Sequence, residues 1–254
     1  MLCRVCFLFV VFSASSLSHS PFYSNRYLAV CPEFDNIAVK PSHVSFEEAA
    51  GAGVCTMTAH SGLYHYGEMQ KLTNPSVLVI GASGGVGIYC VQVAKSFGAN
   101  VTGVCSTKNV DFVTSLGADT VIDYTKGPIE EQLKDKQFDI ILDNVGGDEY
   151  WTIAQKLLKP KGKFVTAVGP SADVVTISTL ISFAANMGWR KLTNSRGYSM
   201  IMSMPYPSWK EVAKLVDEKK IKLITNHVYT AEDANEATKL SESHRAVGKI
   251  VITF

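Results

Sequence analysis

The sequence predicts an α/β fold built on a doubly wound parallel sheet. Two observations carry that reading. Between residues 77 and 168, short aliphatic runs alternate with amphipathic, helix-like runs, the pattern of a parallel sheet covered on both faces. The first aliphatic run, VLVI at 77–80, ends in GASGGVG at 81–87, and a helical pattern follows at once. A glycine series between strand and helix makes room for a diphosphate. Gly81 permits a tight turn, Gly84 lets backbone approach the phosphates, and Gly87 lets helix and strand pack closely. The helix N-terminus adds free N–H groups and a positive dipole end.

The elements follow in order. Residues 27–40 read as two short strands around a turn. Ser45 and Glu48 form a capping box, and the helix they open runs towards Gly67. A strand at 77–80 precedes a helix at 86–97, stopped by Gly98. A strand at 101–105 precedes a helix at 109–116, stopped by Gly117. A strand at 120–124, a short helix at 129–136, a strand at 138–145, a helix at 148–158 ending near Pro160 and a strand at 163–168 complete the alternation. After Gly169 the pattern changes to an amphipathic helix at 176–187, a strand at 198–204, and a helix at 207–220 with Ser208 and Glu211 as a second capping box. Strands at 221–229 and 249–254 flank a helix begun by Thr230.

Composition bounds the function. The chain has 254 residues, enough for one or two domains with a real core. With 46% apolar residues, 19% charged residues and a net charge of +1, it offers no basic stripe for nucleic acid. The six cysteines, at 3, 6, 31, 55, 90 and 105, are scattered; Cys90 and Cys105 read as small core residues, not a disulfide frame. The histidines, at 19, 43, 60, 65, 227 and 244, make no HExxH and no paired ligand spacing. His60 and His65, five apart, are expected on different helix faces. Residues 1–26 are an apolar leader with a single arginine at Arg4 before position 26. The apolar run is too short to span a bilayer. It resembles a secretory signal, with small residues near Ala14; a mitochondrial presequence would carry more arginine, and a misplaced gene start is the third reading.

The second strand ends at VCSTK, 104–108. A site for NAD places Asp or Glu near this point to hold the ribose 2′-hydroxyl. Here Ser106, Thr107 and Lys108 stand instead, with no carboxylate before Asp111. Two hydroxyls and a cation suit a 2′-phosphate, so NADPH is the expected cofactor.

GASGGVG at 81–87, LGADTVIDY at 116–124, DNVGG at 143–147 and the closing GKIVI at 248–252 together resemble the medium-chain dehydrogenase/reductase superfamily. More narrowly, they resemble its zinc-independent quinone oxidoreductase branch and the mitochondrial reticulon-interacting oxidoreductase group. The likeness covers about 27–254. It implies a Rossmann-type domain at 67–220 and a remnant of a GroES-like β-barrel substrate domain at 27–66, to which 221–254 returns. It implies hydride transfer from NADPH to a quinone or conjugated carbonyl, a mitochondrial location (cytoplasmic or secretory as alternatives) and a homodimer. It places the diphosphate on Gly84, Gly85 and Val86, flanked by Ser83 and Gly87. Ser106, Thr107, Lys108 and Tyr124 would meet the 2′-phosphate, although Tyr124 also reads as a plain strand-end aromatic. Asn144 and Val145 would lie beside the nicotinamide ribose, Val168 and Gly169 close by, and Arg245 over the phosphate. The family's substrate domain mostly precedes the segment matched here from Tyr27. The resemblance therefore assigns no catalytic polar group in this chain, and a cofactor-binding protein with impaired turnover is the competing expectation. Tyr206 and Lys210 have the YxxxK spacing of short-chain dehydrogenases, but Pro207 and the Ser208 cap put Tyr206 outside the helix.

Overall fold

The computed structural model describes residues 40–169, 181–182, 185–186, 188–190, 197–201, 208–243 and 245–253. The strands expected at 27–40, most of the helix expected at 176–187, the end of the strand at 198–204, and Tyr206 lie outside the described residues. So does the Ser208 side chain, on which the second capping box depends. The described residues fall into two compact units, one within 55–205 and one combining those before 55 with those after 205.

The first helix, α1 (Phe46–Ser61), opens on the expected capping box. The Ser45 N–H donates to Glu48 Oε2 at 2.9 Å, and the Glu48 N–H donates to Ser45 Oγ at 3.1 Å. Two otherwise orphaned donors are thus satisfied reciprocally. The helix ends in a wider turn, Gly62–Tyr66, closed by Gly67 N–H to Gly62 O at 2.8 Å.

In the larger unit, β1 (Ser76–Ile80) leads to α2 (Gly87–Ser96), β2 (Asn100–Cys105), α3 (Val110–Ser115), β3 (Thr120–Asp123), α4 (Ile129–Gln132), β4 (Phe138–Asp143), α5 (Asp148–Leu157), β5 (Leu158–Thr166) and β6 (Gly197–Met200). The strands pair in the order β3-β2-β1-β4-β5-β6, all parallel. The chain winds outward from β1 in one direction and then from β4 in the other, so the topological switch lies between these strands. Val77, Leu78, Val79 and Ile80 are each at most 1% exposed. A strand buried on both faces needs this unbroken aliphatic run, each residue contributing roughly 1.5–3 kcal/mol of burial. On one face Trp151, Phe164 and Tyr198 pack ring to ring, with centroids 5.1–5.6 Å apart.

Several expected boundaries move. Asn109 belongs to a 3₁₀ turn, Thr107–Asn109, ahead of α3, and Tyr124 begins a second one, Tyr124–Lys126, instead of ending β3. The helix α5 passes straight into β5 at Leu158, so Pro160 lies within a strand rather than at a helix end. The register explains how. Phe138 pairs with Leu158, and Ile140 with Lys163, so two steps along β4 answer five along β5. Pro160 sits in that bulge, where its missing N–H costs no ladder bond, beside Lys161 at φ +68°.

In the smaller unit, β7 (His227–Thr230) and β8 (Ile250–Thr253) pair in parallel, with the helix Ala234–Glu242 between them in sequence. The strand expected from 221 begins only at 227. Ile221 and Leu223 are buried and Lys222 is exposed. That alternation reflects burial on irregular backbone, and it mimics the period-two signature of a strand.

Candidate functional site

All strands of the larger sheet run in one direction, so the segments after β1, β2, β3, β4 and β5 gather along its carboxyl edge, where ligands of open α/β sheets bind. The glycine loop follows β1. Gly81 has φ +73°, and a Cβ there would meet Val145 Cγ2 at 2.9 Å. Gly87 is more constrained. A Cβ there would lie 2.0 Å from Gly81 O and 2.8 Å from Ala82 Cα, both backbone atoms. The first turn of α2 is therefore pressed against the loop that precedes it. The loop is closed by Gly84 N–H to Gly81 O at 3.0 Å and tied to the next strand by Ala82 N–H to Val104 O at 2.9 Å. The N–H groups of Gly85, Val86 and Gly87 donate to no backbone acceptor among the described residues, and no acidic residue stands in the first turn of α2. Uncommitted donors at a helix N-terminus, without a competing carboxylate, suit an anion.

At the end of β2, Ser106 is half-buried and Thr107 and Lys108 are exposed. Asn109, which the sequence reading missed, joins this segment to the glycine loop. Its Nδ2 donates to Ser83 Oγ at 3.1 Å and to Ser106 Oγ at 3.3 Å. Asp123, at the end of β3, was missed as well. The β2–β3 register sets it opposite Cys105, and its carboxylate accepts from Thr107 Oγ1 at 2.5 Å, Thr125 Oγ1 at 2.7 Å and the Thr125 N–H at 3.0 Å. The Thr107 hydrogen bond leads in holding this carboxyl below its usual range. Tyr124, next in the chain, is 55% exposed.

The segments after β4 and β5 are locked by Asp143, which is 2% exposed. Its Oδ1 accepts the Val145 and Gly146 N–H groups, both at 3.0 Å, and its Oδ2 accepts Thr166 Oγ1 at 3.0 Å. The Asn144 Nδ2 donates to Ile80 O at 3.0 Å, tying the end of β4 to the end of β1 across the switch point. Val145 packs over Gly81, and Val168 packs against Gly146, where a Cβ would meet Val168 Cγ1 at 2.7 Å. The Val168 N–H in turn donates to Thr166 Oγ1 at 3.2 Å.

Ser83, Gly84, Gly85, Val86, Gly87, Ser106, Thr107, Lys108, Tyr124, Asn144, Val145, Val168 and Gly169 thus all lie on one edge of one unit. Arg245 belongs to the other unit, where its N–H donates to Ser243 Oγ at 3.2 Å. Sequence order marks strand ends but not which loop contacts which, so Asn109, Asp123, Asp143 and Thr166 escaped notice. The Asp in VIDY and the Asp in DNVGG were the available signals.

Among the described residues, no three His, Cys, Asp or Glu side chains converge. The Cys90 thiol is pushed up to about 12, chiefly by burial, and the Cys105 thiol to about 11, by burial and the Asp123 charge. Such thiols stay protonated at neutral pH and are poor nucleophiles. The ring centroids of His60 and His65 lie 6.3 Å apart, edge to face, across the wider Gly62–Tyr66 turn.

A family model described as zinc-binding dehydrogenase matches residues 116–252. The mitochondrial NAD(P)H oxidoreductase RTN4IP1 of Danio rerio is 34% identical over 87% of this chain and 60% of its own length. The chloroplastic quinone-oxidoreductase homolog of Spinacia oleracea is 31% identical over 93% of this chain and 70% of its own length. The quinone oxidoreductase of Coxiella burnetii superposes with a TM-score of 0.70 at 25% identity, over 85% of this chain and 63% of that one. The chain spans about 60% of the RTN4IP1 relative it matches. The parallel order 3-2-1-4-5-6, the glycine loop and these likenesses agree: the chain belongs to the zinc-binding dehydrogenase family of the medium-chain dehydrogenase/reductase superfamily.

Proposed function

We propose that this chain is an NADPH-dependent oxidoreductase that transfers a hydride to a quinone or conjugated carbonyl without zinc. The observation that carries the reading is the glycine loop. A backbone cradle that excludes a side chain at Gly87, and whose Gly85, Val86 and Gly87 N–H groups have no backbone acceptor among the described residues, stands at the switch point of a parallel sheet. The names of the RTN4IP1 and spinach relatives support the reaction class.

On this reading Ser83, Gly84, Gly85, Val86 and Gly87 hold the diphosphate. Ser106 and Lys108 hold the 2′-phosphate, whereas Thr107, expected beside them, donates its proton to Asp123, and Tyr124 stands exposed just after the end of β3. Asn144 and Val145 flank the nicotinamide ribose, with Val168 and Gly169 adjacent. When bound, the cofactor supplies the hydride. The protein's part is to orient and to exclude water. Asp143 fixes the Val145–Gly146 backbone, Asn144 fixes the gap between β1 and β4, and Val145 and Val168 present apolar surface at that edge. The acceptor is a small molecule, the location mitochondrial as in the RTN4IP1 relative's name, and the assembly a homodimer.

The test is NADPH titration by fluorescence, followed by absorbance at 340 nm with a quinone or an enal added. Saturable NADPH binding and acceptor-dependent oxidation are expected. Absence of NADPH binding refutes the site, and binding without oxidation by any quinone or enal refutes the activity.

A further inference from the structure

The Thr107–Asp123–Thr125 cluster bears on coenzyme choice, a role that rests on the proposed NADPH site. Three side-chain contacts close a triangle: Thr107 Oγ1 to Asp123 Oδ2 at 2.5 Å, Thr125 Oγ1 to Asp123 Oδ1 at 2.7 Å, and Thr107 Oγ1 to Thr125 Oγ1 at 2.8 Å. Each hydroxyl carries one proton, so at most two of the three contacts are hydrogen bonds; the two to the carboxylate are the shorter, and with both protons spent inside the triangle neither is left to donate outward. Asp123 is 5% exposed and also accepts the Thr125 N–H. Its sole nearby cation among the described residues is Lys126, at 3.9 Å. Towards a ligand, then, Thr107 presents lone pairs backed by a negative charge. A ribose 2′-hydroxyl can donate to such an oxygen. A 2′-phosphate needs donors and is repelled by the charge. Ser106 is differently placed: its Oγ accepts from Asn109, which leaves its own proton available, and Lys108 is exposed.

We propose that Asp123 is a coenzyme-selectivity residue. By retaining the Thr107 proton and placing a carboxylate beside the end of β2, it holds the preference for NADPH over NADH below what Ser106 and Lys108 alone would set. It is a positioning residue, since it acts through Thr107 and through its field.

The experiment measures the Kd of the full chain for NADPH and for NADH by fluorescence titration, in wild type, Asp123→Asn and Thr107→Val. Removing the charge is expected to raise the NADPH-to-NADH affinity ratio by about fivefold or more, the scale of a lost like-charge contact near the surface. Thr107→Val is expected to leave NADPH affinity within about twofold while weakening NADH by about fivefold, the scale of one lost hydrogen bond. A merely structural role for Asp123 would lower both affinities together; an unchanged ratio in Asp123→Asn therefore overturns the proposal. Should that variant fail to fold, Thr107→Val decides alone, and equal loss of both cofactors overturns it. Wild-type protein that binds neither cofactor refutes the NADPH reading itself, a result distinct from an unchanged ratio.

Discussion

Gly87→Ala tests whether the loop geometry underlies both stability and cofactor binding. The added Cβ would sit 2.0 Å from Gly81 O, 2.8 Å from Ala82 Cα and 2.9 Å from Ala82 C. All three are backbone atoms, so no side chain can swing aside. Bringing the oxygen contact to about 3 Å, the lower limit for carbon and oxygen in close contact, demands a movement of about 1 Å between loop and helix. The loop is held by Ala82 N–H to Val104 O at 2.9 Å, and the helix by a buried face that includes Ile88, Tyr89 and Val91, each 0% exposed. Overpacking of this kind costs about 1–3 kcal/mol, and the rigid surroundings favour the upper end. For a chain of this size that range corresponds to a Tm lower by roughly 2–12 °C. A displacement of about 1 Å in a preorganised cradle is expected to weaken NADPH binding tenfold or more. Thermal unfolding followed by circular dichroism, together with NADPH titration, gives both quantities. Gly98→Ala is the control: its φ is +78° but nothing lies within 4 Å, so it carries only the left-handed penalty of about 1 kcal/mol and leaves NADPH affinity unchanged. A Gly87→Ala protein with wild-type Tm and wild-type NADPH affinity would refute the reasoning.

Other expectations concern the same edge of the sheet and its core. Lys108→Ala should weaken NADPH about tenfold and leave NADH within twofold, as measured by paired titrations, because one charge-assisted hydrogen bond is removed. Asp143→Asn should lower stability by about 2–3 kcal/mol in urea unfolding, since an amide N–H would replace an acceptor facing either the Val145 and Gly146 N–H groups or Thr166. Burial first, and the His65 charge second, lower the His60 pKa to about 4. An unfolded chain takes up that proton near pH 6.5 while the folded one does not. Stability should therefore fall as pH drops from about 6.5 to 4, by about 3 kcal/mol in all. His60→Phe should flatten that slope; an unaltered pH profile in the variant would count against it.

Much of the larger unit was legible from sequence because its signals are local. A buried parallel strand needs an unbroken aliphatic run, so 77–80 declared itself. Gly98, at φ +78°, ends α2 with its N–H on Lys95 O at 2.9 Å, and Gly117, at φ +101°, ends α3 with its N–H on Thr114 O at 2.9 Å. Both announced themselves as helix stops because few other residues adopt that backbone. The strand expected from 221 failed for a related reason: alternating burial at Ile221 and Leu223 has period two whether or not a neighbouring strand pairs there. Pro160 carries the local signature of a helix terminator, and nothing local distinguishes that from a bulge within β5.

The amino-acid order by itself determined the alternation of elements, the capping box at Ser45 and Glu48 and the glycine loop that marks the site, because hydrophobic period and turn chemistry act over a few residues. Only the tertiary structure decided which strand ends stand side by side. It brought Asp123 onto Thr107 from 16 residues away, set Val145 over Gly81, and joined Ser83 to Ser106 through Asn109. Those contacts depend on sheet order and register, which arise from the summed burial of whole elements and are encoded in no single stretch of chain.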